Sequence, residues 1–444
     1  MTPNQRLILL LLLGLTVTSG TGTSLCTHEV MTRCVCNGMD IFNLENMLSL
    51  RFSELELRDS KLDGFELPID LEMFSYLIQI NKLTFTNVTM SFSFIGAVFH
   101  FLPSILNEIN IISSTLKDVK PLQYPESLDA SKIKALLLEN TTVDPSLLQP
   151  SFEAFHRWLF GSLKSLGLVH SGLVEIDCNW AQRVQNLSHL DLSDNPISYT
   201  SLQNISQCSS LSFKSLKSLH LRNSSLTSLQ SLCTPLSLTP ALTQLDVSRN
   251  NFTVLNYPHC LHMKPLRMLN LSHSEITEVN SLFSESLEEL DLSYNSLEVF
   301  NNQLQTLKRL DLSHNHLIRL PSLDSLSHLQ DLKVDSNQLT ILIQETTNLS
   351  TLEQLDSLYA GRNPYQCDCA LKETIIFLNS TDSVSVEDYP EDFLCATPVA
   401  QQGTQIMNLS FEACMNSTND AQQHSSPLCL TLFVVPLTCM IYSC

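Results

Sequence analysis

Basic residues are few in this chain. Lys and Arg number 25 against 45 Asp and Glu over 444 residues, a formal charge of −20. A protein this acidic lacks the basic face that displaces counterions from phosphates, which argues against nucleic-acid binding. It also disfavours attachment to anionic lipid through charge alone. Glycine is scarce at 11 residues, which weakens any reading that needs a glycine-rich phosphate loop. No His-Glu-x-x-His, Gly-x-Ser-x-Gly, Walker loop or dinucleotide fingerprint occurs. The 13 histidines are scattered, as in Ser313-His314-Asn315-His316, and read as solvated. The chain is therefore read as a non-enzyme with no cofactor and no metal site. What it does have is an apolar fraction of 43%, enough for a large core.

Both ends speak of the secretory route. Arg6 precedes an apolar run over 7–15 and then small residues over 16–24, the pattern of a signal peptide, with residues 1–24 removed. Residues 428–444 are apolar and uncharged, after a small, polar stretch over 416–427. That order describes a GPI-attachment signal, with Ser417 or Asn419 as the attachment site. A short transmembrane anchor, or a truncated or alternatively spliced end, is the competing reading. Asn-x-Ser/Thr acceptors lie at Asn87, Asn140, Asn186, Asn204, Asn223, Asn251, Asn270, Asn348, Asn379 and Asn408, with one more at Asn416. Their density suggests a glycosylated extracellular surface, and in that compartment the cysteines read as disulfides.

A repeat dominates the middle. Leu-x-x-Leu-x-Leu-x-x-Asn recurs at Leu187-Leu190-Leu192-Asn195, Leu242-Leu245-Val247-Asn250, Leu287-Leu290-Leu292-Asn295, Leu307-Leu310-Leu312-Asn315 and Leu329-Leu332-Val334-Asn337. Weaker copies start at Phe52, Ile80, Leu106, Ile133, Leu163, Leu216, Leu266 and Leu355, and Ser60, Ser114, Ser171, Ser224 and Ser274 stand at the Asn position in five of them. Starts 20 to 30 residues apart give the leucine-rich-repeat period. The fold class is thus an α/β repeat: a leucine-rich-repeat solenoid, or horseshoe, with a parallel β-sheet on its concave face. About 13 repeats over 51–364 lie between an N-terminal cap at 25–50 and a cysteine-rich C-terminal cap at 365–415.

The concave column reads Glu56, Thr84, Asn110, Leu137, Gly167, Asp191, His220, Asp246, Asn270, Asp291, Asp311, Lys333 and Tyr359. Its aspartates are either a site for cations or a basic protein, or simply the solvated consensus of the repeat. The column offers lipid no apolar area. A different composition appears over 65–112, where Phe65, Leu71, Phe74, Leu77, Phe85, Met90, Phe92, Phe94, Ile95, Val98, Phe99 and Leu102 crowd a stretch with few charges. This is either the core of long repeats or an apolar pocket beside the N-terminal cap. Arg51, Arg58, Lys61, Lys82, Lys117 and Lys120 would stand at the rim of such a pocket, where they would meet lipid phosphates.

Cys178, Cys208, Cys233 and Cys260 fall in long convex-side connections, and pairing 178–208 and 233–260 closes each locally. Cys367-Asp-Cys369 after Asn363-Pro364 resembles the C-terminal cap of leucine-rich-repeat receptors such as Toll-like receptor ectodomains. That likeness implies the pairs Cys367–Cys395 and Cys369–Cys414.

Several elements together carry a second resemblance. They are Arg33-Cys34-Val35-Cys36, Trp158-Leu159 ahead of Leu163-Lys164-Ser165-Leu166, Asp177-Cys178 and Leu190-Asp191-Leu192-Ser193-Asp194-Asn195-Pro196. Leu219-His220-Leu221-Arg222-Asn223, Cys233, Cys260 and Leu269-Asn270-Leu271-Ser272 continue the series. Over 26–320 the chain resembles the monocyte differentiation antigen family of GPI-linked co-receptors for bacterial lipopolysaccharide. The resemblance implies a solenoid whose N-terminal pocket takes acylated bacterial lipids, lipopolysaccharide or lipopeptides, and passes them to a Toll-like receptor complex at the plasma-membrane surface or in secreted form. It further implies the pair Cys26–Cys36 and leaves Cys34 unpaired, because no cysteine lies between Cys36 and Cys178. The alternative is a protein-binding adhesion module, or a decoy Toll-like receptor ectodomain, that uses its concave face.

Overall fold

The structure, a computed structural model, describes residues 26–30, 32–38, 52–62, 80–91, 106–117, 132–143, 160–176, 178–197, 203–204, 207–208, 211–262, 264–279, 283–344, 347, 349–381 and 383–409. It divides into two compact units, Met1–Ser296 with Asn302–Leu307 and Leu297–Asn301 with Lys308–Cys444. Both are built on the leucine-rich repeat.

In the first unit the strands run in parallel order from Arg33–Asn37 through Glu54–Arg58, Lys82–Thr86, Glu108–Ile112, Ala135–Glu139 and Ser165–Val169 to His189–Asp191, Ser218–His220, Gln244–Asp246, Met268–Asn270 and Glu289–Asp291. Cys26–Val30 closes the open edge as an antiparallel partner of Arg33–Asn37. The pairing register holds each repeat position opposite its equivalent, as in Leu55↔Leu83, Leu83↔Ile109 and Leu245↔Leu269. Alternation follows from strand geometry: the leucines face one side and are buried, while the residues between them face the other. A Cβ at Gly167 would lie 2.6 Å from a methyl of Leu137 in the adjacent strand, so a larger residue there makes the Leu137 side chain turn away.

The chain leaves each strand through a turn that needs a left-handed residue. Asp59, Asn87, Ser113, Asn140, His170, Asp194, Asn223, Arg249, His273 and Tyr294 all have φ between 47° and 59°. Asp and Asn, which hold five of these ten places, tolerate that conformation best. The rings of His273 and Tyr294 stack at 4.2 Å. The four N-terminal repeats add a second, short parallel ladder, Lys61–Leu62, Thr89–Ser91, Thr115–Lys117 and Thr142–Val143. Disulfides Cys178–Cys208 and Cys233–Cys260 tie the connections that carry the short helices Cys178–Arg183, Cys233–Leu236 and His259–His262.

The second unit repeats the pattern with Arg309–Asp311, Asp331–Lys333, Ser357–Tyr359 and Ser385–Val386. Its cap is a helix, Lys372–Ser380, with the strand pair Tyr365–Gln366 and Cys395–Thr397 bridged by Cys367–Cys395. Fully buried Tyr365 stacks on Phe393 and donates its hydroxyl to Ala360 O at 2.7 Å. Asp388 accepts the N–H groups of Gly361 at 2.6 Å and Ala360 at 3.3 Å, so the cap satisfies backbone donors that no further repeat would meet. Cys369 is also disulfide-bonded, and Cys414, its expected partner, lies outside the described residues.

Candidate functional site

Among the described residues, the N-terminal strands gather three polar and charged side chains around one carboxylate. Glu56, only 5% exposed, accepts from Arg33 Nη2 at 2.5 Å, Arg58 Nε at 2.6 Å and Nη2 at 3.0 Å, and Thr86 Oγ1 at 2.8 Å. Burial pushes its carboxyl up, but the hydrogen bonds from Arg58, Arg33 and Thr86 outweigh it and hold the group at about 2. Parallel pairing creates this arrangement: Arg33 lies opposite Glu54 and Thr86 opposite Arg58, which puts all four groups over one sheet face. Lys82 and Glu108 pair at 2.7 Å in the next strands. The side chains border a recess of about 280 Å³ lined by Arg33, Glu54, Leu55, Glu56, Lys82, Thr84, Asn110 and Ile112.

The expected apolar site lies mostly elsewhere. Phe65, Leu71, Phe74, Leu77, Phe92, Phe94, Ile95, Val98, Phe99 and Leu102 are outside the described residues. Phe85 and Met90 are fully enclosed core side chains. Of the expected rim, Arg58 and Lys82 are committed to Glu56 and Glu108. Lys61, on the edge strand of the second ladder, and Lys117, the last residue of an inner strand of it, are exposed, and Arg51 and Lys120 lie outside the described residues. The part played by Arg33 was not legible from sequence, because its carboxylate partner is 23 residues away and only the strand register brings the two together.

The sheet-face aspartates serve the turns. Asp191, Asp246, Asp291 and Asp311 each accept, through Oδ1, the N–H of the serine two residues on, at 2.9–3.0 Å. This explains why Leu-Asp-Leu-Ser recurs: an acidic or amide oxygen there replaces a missing backbone partner. Beside Asp191, Ser218 Oγ lies 2.9 Å from His220 Nε2, and His220 Nδ1 lies 4.0 Å from Asp191 Oδ2. The order mimics a nucleophile–base–acid relay, but 4.0 Å is too long for a hydrogen bond and Ser218 is 7% exposed. His189 packs edge-on against His220 at 4.8 Å. Its ring nitrogen is harder to protonate than usual, through burial first and the neighbouring His220 second.

One apolar void opens in the first unit among Ile176, Trp180, Phe213, Leu216, Leu232, Pro235 and Leu236, of about 50 Å³. That is a third of the ~150 Å³ cavity that takes up benzene, so it has no room for an acyl chain. Cys34 is a free, fully buried thiol within 4.8 Å of the bonded pair Cys26–Cys36, and burial raises its pKa. With two of the three sulfurs bonded to each other, the trio is no metal site.

Of the glycan acceptors, Asn87, Asn140, Asn186, Asn204, Asn223, Asn251, Asn270, Asn379 and Asn408 are described. Asn348, Asn416, Ser417 and Asn419 lie outside the described residues. Among the described residues no helix is long and apolar enough to cross a membrane.

Comparison with known proteins follows the repeat. Two family models, both described as leucine rich repeat, match residues 240–297 and residues 185–206 with 303–327. Toll-like receptor 2 of Canis lupus familiaris is 29% identical over 402 residues, covering 88% of this chain and 49% of the receptor. The Homo sapiens receptor is 29% identical over 392 residues, covering 86% and 48%. The chain thus spans about half the length of these relatives. The mouse RP105/MD-1 complex shares the fold, with a TM-score of 0.50 and 19% identity over 85% of this chain and 67% of that one. The chain is thus built of leucine-rich repeats and is similar, over most of its own length, to about half of Toll-like receptor 2.

Proposed function

We propose that this leucine-rich-repeat chain is a cell-surface pattern-recognition co-receptor of innate immunity. It takes acylated bacterial lipids, lipopolysaccharide or lipopeptides, into an apolar site in its N-terminal repeats and delivers them to a Toll-like receptor complex. It works at the outer face of the plasma membrane, held by a GPI anchor, or free after secretion. The observation that carries the reading is the distribution of apolar residues along a chain similar to Toll-like receptor 2. The described sheet face is polar, its aspartates are engaged in turns, and the described apolar void holds only about 50 Å³. The sequence over 65–79 and 92–102 is dense in apolar residues, with Phe65, Leu71 and Phe74 in the first stretch and Phe92, Phe94 and Phe99 in the second. Each methylene buried there contributes about 0.8 kcal/mol, so several acyl chains bind tightly without a basic surface.

The test is binding of a fluorescent acylated lipid to purified ectodomain carrying Phe94→Asp and Phe99→Asp. The expected result is loss of most of the binding in a protein that keeps its thermal midpoint. Unchanged binding overturns the reading. Mass spectrometry of lipid carried through purification gives an independent measure. Release from cells by a phosphatidylinositol-specific phospholipase tests the anchor separately.

A further inference from the structure

Five strands of this chain end in the same three-residue pattern: Asp191-Leu192-Ser193, Asp246-Val247-Ser248, Asn270-Leu271-Ser272, Asp291-Leu292-Ser293 and Asp311-Leu312-Ser313. In all five, Oδ1 of the first residue accepts the serine N–H at 2.9–3.0 Å. The turn needs one acceptor oxygen and makes no demand on the second terminal atom. In four of the patterns that second atom is a carboxylate oxygen. In Asn270 it is an amide nitrogen, and the replacement turns a structural pattern into a glycan acceptor, Asn-Leu-Ser.

The side chain is held ready for this. Ser272 Oγ donates to Asn270 Oδ1 at 2.8 Å in addition to the backbone N–H, so both bonds fall on the oxygen and fix the amide plane. Nδ2 makes no hydrogen bond among the described residues. At four other acceptors it does: Asn87 donates to Asp59, Asn140 to Ser113, Asn223 to Asp194 and Asn251 to Glu275. Asn270 alone of these five lies on the open sheet face, directly opposite Asp246 on one side and Asp291 on the other.

We propose that Asn270 carries an N-linked glycan that covers the sheet face of the first unit between Asp246 and Asp291. Neighbouring strands are ~4.8 Å apart, so the two carboxylates stand ~10 Å apart with Asn270 midway, and the first residue of the glycan stands between them. Its hydroxyl and amide groups are donors for them. The acidic column is then closed at its middle, and a protein or cation approaching Asp246 and Asp291 meets carbohydrate. The proposal rests on the extracellular part of the functional reading and is independent of the lipid site.

The experiment uses full-length protein secreted from animal cells. Site-resolved glycopeptide mass spectrometry gives the occupancy of Asn223, Asn251 and Asn270, and hydrogen peroxide oxidation of Met268 reports the cover. Met268 is 36% exposed on the same strand and face as Asn270, and Met407, 44% exposed in the second unit, is the internal reference. Asn270→Asp keeps the turn oxygen and removes the sugar. Expected are an occupied Asn270 and a Met268 that oxidises about threefold faster in Asn270→Asp, with Met407 unchanged, because thioether oxidation follows exposure. A bare Asn270 beside an occupied Asn223 overturns the proposal alone, as do equal Met268 rates in the two proteins. If none of the three acceptors is modified, both this proposal and the extracellular reading fall.

Discussion

Between Glu54 and Val143 the first unit closes its turns with hydroxyls and a four-strand second ladder; from Ser171 on the turn donors go mainly to Asn195, Asn250 and Asn295, with one short ladder pair left at Val254–Leu255 and Glu278–Val279. Ser114 shows the first solution. Its Oγ donates to Ile112 O and accepts from Val88 N, two bonds in all. The remaining turn donors are met by backbone, as in Thr89 N to Ser60 O, Thr115 N to Val88 O and Thr142 N to Ser114 O. Asn250 shows the second. Its Nδ2 donates to Leu221 O, Val247 O and Ser248 O, and its Oδ1 accepts from Ser224 N and Leu226 N. One side chain thus does what a whole ladder does elsewhere. The ladder repeats have strands of five residues and the asparagine repeats strands of three, while Ser165–Val169 marks the change, with five residues and a turn met by Asn195. Solvent-excluded turn groups must be paired, and a parallel repeat offers these two ways of pairing them.

The sharpest way to break this contrast is to remove one residue of each kind. Asn250→Ala strands two buried N–H groups and three carbonyls, and the expected loss is on the order of 4 kcal/mol. Ser114→Ala leaves most of its turn to the ladder and should cost on the order of 1 kcal/mol. Urea midpoints of the two variants measure the difference. Equal losses would show that the ladder does not substitute for the amide.

A second contrast is electrostatic. The N-terminal strands hold one carboxylate in a cage of arginine donors, whereas the later aspartates serve their own turns, Asp191 and Asp246 through the serine N–H and Asp291 and Asp311 through the serine hydroxyl as well. Glu56 has a folded-state pKa of about 2 against an ordinary 4.5. Since the folded value is the lower one, the carboxylate stabilises the fold above pH 4.5 and loses that contribution as pH falls toward 2. The size is on the order of 3 kcal/mol. Glu56→Gln should therefore destabilise at neutral pH, by about 2–3 kcal/mol, because the charge-assisted bonds from Arg33 and Arg58 lose their carboxylate. It should also flatten the acid limb of the stability curve. A wild-type acid limb in the Gln variant would mean that another group carries it.

These contrasts were unevenly legible in the sequence. The leucine spacing and the Asn at its end fix where strands and turns fall, because both answer to local geometry. The serines at 60, 114, 171, 224 and 274 stood out as departures, but what replaces the amide did not. Lys61–Leu62 and Thr142–Val143 are two residues long and carry no alternation to read. Ser171, Ser224 and Ser274 also resolve differently, since each receives its turn acceptor from the asparagine of the following repeat, Asn195, Asn250 or Asn295. The sheet-face aspartates were visible as a column, yet the same carboxylate oxygen can face solvent or bind its own turn, and only coordinates separate the two. The expected pocket was marked by aromatic density alone, a signal that core and cavity share.

The smallest expected effect separates two kinds of titration on one sheet. His189 sits where burial and His220 oppose its charged form, while Asp191 favours it. The strands packed on this pair, Ser165–Val169 and Gln244–Asp246, present Ser165, Gly167, Gln244 and Asp246, so Asp191 and Asp246 are the charges that face it. The folded state binds the proton less readily than the unfolded chain does. Stability is therefore complete above the ordinary histidine value of about 6.5 and declines as pH falls below it. The Glu56 loss begins two units lower, so the two appear as separate steps in a thermal-midpoint scan from pH 8 to pH 3. His189→Gln should erase the upper step and leave the lower one intact. A scan in which the upper step survives that substitution would assign it to a different group and remove His189 from the account.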